Sequence, residues 1–171
     1  MGPSMCELES MRSRVALVGT LLLLLPLAGQ AQSTAGTKCP AQACADVISV
    51  AIDRGDLGRV EVLRVRPDIE TRAAITPDAL ERIYDTKLVI RNIAELPLRS
   101  KMIEAFKGSS IQPRDYIADL RWGVIFYSRN DVRIGAIYFD RSGRSGAVND
   151  AGASFGGGFF HWLQSTFSAC P

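Results

Sequence analysis

Alternation of apolar and polar positions is clearest between Asp119 and Val148. From Asp119 to Ser128, Leu120, Trp122, Val124 and Phe126 fall on one face of an extended chain, with Arg121, Gly123, Ile125 and Tyr127 on the other. Both faces are largely apolar, which predicts a strand covered on both sides. The polar break Arg129-Asn130-Asp131 separates it from a second alternating run, Val132 to Phe139, and a hairpin is the economical connection. Asp140-Arg141-Ser142-Gly143 supplies a further turn, with an Asp able to cap its own backbone and a Gly able to take positive φ. A short third strand follows around Ala147 and Val148. This meander is the scaffold against which the other segments are arranged.

Upstream, the apolar run Asp46 to Ile52 fits a helix or a buried strand equally well. Arg59 to Arg66 is a strand by its valines, with Val60 and Val62 on one face and Leu63 and Val65 on the other, so it is buried on both faces or bulged. Ile75-Thr76-Pro77-Asp78-Ala79-Leu80 carries a helix start: Thr76 as N-cap, Pro77 in the first helical position, Asp78 at the positive end of the dipole, and Ile75 stapled to Leu80. That helix should run to the neighbourhood of Asp85, with extended structure resuming from Lys87 to Ile93. A second helix, from near Pro97 to Lys107, places Leu98, Met102, Ile103 and Phe106 at helical spacing and stops at Gly108. Ser109 to Arg114 reads as a loop, Asp150 to Gly158 as a stretch of small residues, and Phe159 to Phe167 as a C-terminal helix. The order predicts an α+β fold, a mainly antiparallel sheet with a C-terminal three-stranded meander, covered by about three helices on one face.

The N-terminal segment changes the setting. Arg12 and Arg14, an apolar run from Val15 to Leu27, and Gly29-Gln30-Ala31 make the three parts of a secretory signal with cleavage after Ala31. The apolar run is about 13 residues, short of the roughly 20 that span a bilayer as a helix, so no stable membrane span is expected after cleavage. Glu7 and Glu9 do not suit a positive n-region, so residues 1–10 read as an extension, or Met11 as the start. The expected organisation is a signal over 1–31, a flexible leader over 32–45 and a single α+β domain over 46–171, exported to the periplasm or secreted. With 20 Lys and Arg against 18 Asp and Glu, the chain is nearly neutral, and its cations are scattered without interleaved aromatics, which argues against a nucleic-acid partner.

Past the signal stand Cys39, Cys44 and Cys170. In an oxidising compartment the expected disulfide joins the N-terminal pair to Cys170, as Cys44–Cys170 or with Cys39 in the place of Cys44, leaving one odd thiol that the sequence does not assign; the competing pairing is a small loop between Cys39 and Cys44.

Candidate chemistry is sparse. Gly152-Ala153-Ser154-Phe155-Gly156 matches the G-x-S-x-G nucleophile elbow, whose glycines allow a strained strand-to-helix turn. The remainder of a hydrolase does not follow: the single histidine, His161, lies only seven residues on, and no acid comes after Asp150. His161 with the three cysteines is a conceivable zinc set, but a Cys-x4-Cys spacing is not a zinc knuckle and an oxidising compartment favours the disulfide. Gly156 to Gly158 precede a helix without the Lys-Ser/Thr ending of a phosphate-binding loop, and close passage over the sheet explains them. Asp140 and Asp150, like Asp115 and Asp119, are ordinary turn caps. Neither metal nor cofactor is expected. Arg64, Arg66, Arg121 and Arg133 are more informative, because several arginines on one sheet face make a hydrogen-bonding surface suited to an acidic partner. The resulting expectation is an exported non-catalytic domain that binds another macromolecule, a protein partner in the cell envelope, as inhibitors, immunity proteins and accessory factors do. The alternatives are a small secreted serine hydrolase using Ser154 and His161, and a structural envelope component.

Overall fold

The ambiguous run at residues 46–52 forms the middle of a helix, α1, Ala41–Arg54, which ends where Gly55 turns left-handed (φ 74°) and its N–H returns to the carbonyls of Ala51 and Ile52. This comes from a computed structural model that describes residues 7–8, 39–93 and 98–168. The helix therefore begins inside the segment expected to be leader. Most of the expected secretory signal lies outside the described residues, and no described helix is long and apolar enough to cross a membrane.

Two residues, β1 (Glu7–Leu8), pair at the sheet edge; the remaining strands are β2 (Leu57–Arg64), β3 (Thr86–Arg91), β4 (Ser110–Pro113), β5 (Leu120–Ser128), β6 (Arg133–Asp140), β7 (Ser145–Val148) and β8 (Ala151–Gly156). From β2 onward they form a seven-stranded antiparallel sheet in the order β3-β2-β5-β6-β7-β8-β4, with β1 against β3. The expected meander is β5, β6 and β7. It continues through β8, which lies in the stretch of small residues, and β8 in turn pairs with β4 inside the expected loop. As the turn chemistry requires, Asp140 Oδ1 accepts from the backbone N–H of Ser142 (3.1 Å) and Arg144 (3.2 Å), and Gly143 has φ 73°.

The other helices among the described residues are α2 (Pro77–Ile83), α3 (Leu98–Lys107) and α4 (Phe159–Ser168). Of these described helices, α1, α3 and α4 share one face. There Ile48, Met102, Phe106, Phe159 and Leu163 meet Val60, Val62, Val124, Phe126, Ile137 and Phe139. The most plainly signalled helix, α2, sits on the opposite face. Thr76 caps it by accepting from Ala79 N–H at 3.3 Å, and Ile75 and Leu80 are buried in the same small cluster with Leu63, Val65, Ile125 and Tyr138. Gly123 makes this possible, because a Cβ there would stand 2.9 Å from Leu80 Cδ2. Strand β2, with Val65 just past its end, thus feeds both cores, the first of the two expected readings, and it is also irregular between Leu57 and Arg59.

The disulfide joins Cys39 to Cys44, correcting the expected Cys44–Cys170 bridge; Cys170 lies outside the described residues. The reason is local. The first turn of α1 carries Cys44 back to within 5.9 Å (Cα to Cα) of Cys39, inside disulfide reach. So short a loop contributes about 2 kcal/mol in the chain-entropy account, roughly half of what a bridge to Cys170 would have supplied.

Candidate binding face

Strands alternate their side chains, so residues facing one another across a ladder share a face. Arg59 of β2 lies opposite Arg91 of β3 and Tyr127 of β5, and Tyr127 lies opposite Arg133 of β6. Arg91, Arg59, Tyr127 and Arg133 therefore form one row across four strands, on the face away from α1, α3 and α4. The row stands just beyond the small core under α2.

Carboxylates and the Tyr127 ring hold Arg59, Tyr127 and Arg133 in place. Glu61, only 7% exposed, pairs with Arg59 and, at 3.0 Å, with Lys87, and it accepts from the Tyr127 hydroxyl at 3.4 Å. The Arg59 guanidinium also lies 3.7 Å from the centre of the Tyr127 ring and 2.8 Å from Asp131. At the other end, Arg133 donates through two nitrogens to Glu81 of α2, at 3.0 and 2.9 Å, and at 2.8 Å to the Tyr138 hydroxyl, which itself donates to Glu81. Burial works against the charge on Arg59 and Arg133, but the hydrogen bonds to Asp131 and Glu81 and the nearby charges of those carboxylates and Glu61 together outweigh it, and both titrate above the ordinary range. Both tyrosines are also raised: Tyr127 by burial and then the Glu61 charge, Tyr138 by burial and then its bond to Glu81. What results is a set of planar donors fixed before any partner arrives.

Of the arginines singled out in the sequence, Arg133 belongs to this row and the others do not. Arg64 has the parity of Val60 and Val62, so it turns to the three-helix face and lies 4.9 Å from the Trp122 ring and 5.4 Å from that of Phe167. Arg66 is past the end of β2, exposed, 3.6 Å from Asp68. Arg121, in the irregular start of β5, pairs with Asp119 at 2.7 Å and donates to the Ile69 carbonyl at 2.8 Å, tying down a loop. Arg59, Arg91, Lys87 and Glu61 were missed. Their signal was the alternation Arg59-Val60-Glu61-Val62 and Lys87-Leu88-Val89-Ile90-Arg91, in which every second residue is aliphatic.

Ser154 and His161 are not brought together. Ala153 and Phe155 pack into the core under the helices, so Ser154 between them faces away from it, whereas His161 is exposed on α4. Among the described residues no group of three or more His, Cys, Asp or Glu is placed to hold a metal. Two cavities border the row, one of about 420 Å³ beside Glu81, Arg133 and Tyr138, and one of about 400 Å³ at Arg59, Arg91 and Arg129.

Fold and face together define a small α+β domain with an ordered cationic row on one side of its sheet. No family model, curated protein or solved structure matches the chain.

Proposed function

We propose that the chain is an exported, non-catalytic domain that binds an acidic protein partner in the cell envelope through the Arg91–Arg59–Tyr127–Arg133 row. The observation behind this reading is the row itself: four large donor-bearing side chains in register, two of the arginines held by carboxylates and one stacked on a tyrosine. Arg and Tyr contribute most at protein interfaces, and side chains already fixed lose little entropy on binding. Each guanidinium carries five N–H donors, more than its carboxylate consumes, so acceptors on a partner find bonds waiting. Export rests on the Met11 to Ala31 segment.

The test is a crosslinked pull-down of the tagged mature domain from the envelope of its own cells, read by mass spectrometry. One stoichiometric protein should be captured by the wild type, and at least about tenfold less by Tyr127→Ala or Arg133→Ala. Ser154→Ala and His161→Ala should capture it undiminished. Equal capture by the row variants would refute the reading, as would a hydrolytic activity abolished by Ser154→Ala.

A further inference from the structure

We propose that the cavity at the outer end of the row binds a dianionic phosphate group. It lies where the ends of β2 and β3 meet the β5–β6 turn, and its wall includes Arg59, Arg91, Asn92, Ser128, Arg129 and Asp131. The backbone around it is tightly held. Asn92 N–H donates to the Gly58 carbonyl at 2.8 Å, and Arg129 N–H donates to that of Asp56 at 3.0 Å. A Cβ on Gly58 would stand 2.7 Å from Arg129 Cα, so the two segments touch only because that position is glycine. Asn92 (φ 53°) and Asp131 (φ 63°) both take the left-handed conformation that turns the chain away at the cavity edge.

Charge selects the ligand. Three guanidiniums line the cavity against one carboxylate, Asp131, which is already paired with Arg59, and Arg59 is engaged by Glu61 as well. Among the residues whose side chains are described, which leaves out Glu7 of the neighbouring β1, no carboxylate pairs with Arg91 or Arg129. Arg129 spends its Nε on the Gly55 carbonyl at 3.1 Å, which leaves its terminal nitrogens. Arg91 stands directly across the ladder from Arg59, so an anion seated between them meets guanidiniums from both strands. Two uncompensated guanidiniums match a dianion; a carboxylate would leave one of them unpaired. Guanidinium forks fit phosphate oxygens, and Ser128 Oγ, which accepts from Val132 N–H at 3.1 Å, keeps its own proton to donate. At about 400 Å³ the cavity also has room for part of the molecule that carries the phosphate. The shared chemistry is a phosphate monoester or free phosphate; the cavity shares Arg59 and Arg91 with the protein-binding row but does not rest on that reading.

Backbone NMR of the labelled mature domain, titrated at constant ionic strength with inorganic phosphate, glycerol 3-phosphate, sulfate, acetate and chloride, tests it. Phosphate should shift the amides of Asn92, Ser128 and Arg129 in a saturable way, and Arg91→Ala or Arg129→Ala should weaken that binding about tenfold, both residues being exposed. Phosphate-monoester affinity should fall between pH 7.5 and pH 5.5 as the second proton, with a pKa of about 6, goes on, whereas sulfate affinity should stay level. Tighter binding of glycerol 3-phosphate than of inorganic phosphate would identify a carried phosphate; the reverse would identify the free ion. Shifts that do not saturate, that chloride or acetate reproduce, or that survive Arg91→Ala would overturn the site. Partner capture that depends on Tyr127 and Arg133 without any phosphate binding would refute the cavity alone.

Discussion

The two faces of the sheet are built from opposite materials. Under α1, α3 and α4 the contacts are aromatic: Phe159 stacks on Trp162 at 5.2 Å and meets Phe106 at 5.2 Å, Phe139 at 6.1 Å and Phe126 at 6.5 Å, ring centre to ring centre. On the α2 side a small core of aliphatic side chains around the Tyr138 ring gives way to Arg59, Glu61, Tyr127 and Arg133. Apolar burial is non-directional and adds with area, whereas each charged contact is offset by the water it displaces. The helix face should therefore carry stability, and the other face should use that rigidity to hold side chains at a surface.

The largest effect expected from that division is at Phe159, 3% exposed and in contact with four other rings. Phe159→Ala should cost about 3 to 5 kcal/mol in urea unfolding. A loss below about 1 kcal/mol would mean that the helix face is not the seat of stability. Glu61→Leu, at the most deeply buried charge of the other face, should cost less, about 2 kcal/mol, because Arg59 keeps Asp131 and Lys87 can turn to water. If that variant proved as damaging as Phe159→Ala, the two faces would not differ in the way described.

How far this was legible in the sequence follows from the same contrast. The meander, the α2 cap and the aliphatic alternation of β2 are local signals, written in neighbouring residues and recoverable by period and turn chemistry. The register that sets Arg91, Arg59, Tyr127 and Arg133 side by side depends on which strands pair and on the irregularity between Leu57 and Arg59. Neither is a local property, so the expectation of an arginine-bearing sheet face named, beside Arg133, also Arg64, Arg66 and Arg121, the first of which turns to the helices while the other two lie at loops. The same limit explains β4 and β8: short strands of small or polar residues have little pattern of their own and are fixed by the ladder between them. The Cys39–Cys44 bridge needed only the knowledge that α1 begins at Ala41, a boundary obscured by a run without a capping side chain.

Tyr138 offers the smallest but most specific probe of the comparison, because it crosses from one material to the other. Its ring is fully buried in the small core while its hydroxyl reaches the Glu81–Arg133 pair. Burial and the bond to Glu81 raise its pKa above the ordinary value of about 10. Above that pH the unfolded chain releases the phenolic proton while the folded chain still holds it. The folded state then binds more protons, so stability is fully present below about pH 10 and declines as pH rises through the interval up to the folded pKa. Tyr138→Phe should cost about 1 kcal/mol at pH 7, for the lost hydrogen bond, and should flatten the alkaline decline, with the remainder belonging to Tyr127, whose pKa is also raised. Urea midpoints at pH 7, 9, 10 and 11 for the wild type and the variant decide it. Parallel curves above pH 10 would show that the Tyr138 hydroxyl is not held by Glu81, and the polar row would then lose its anchor to the core beneath it.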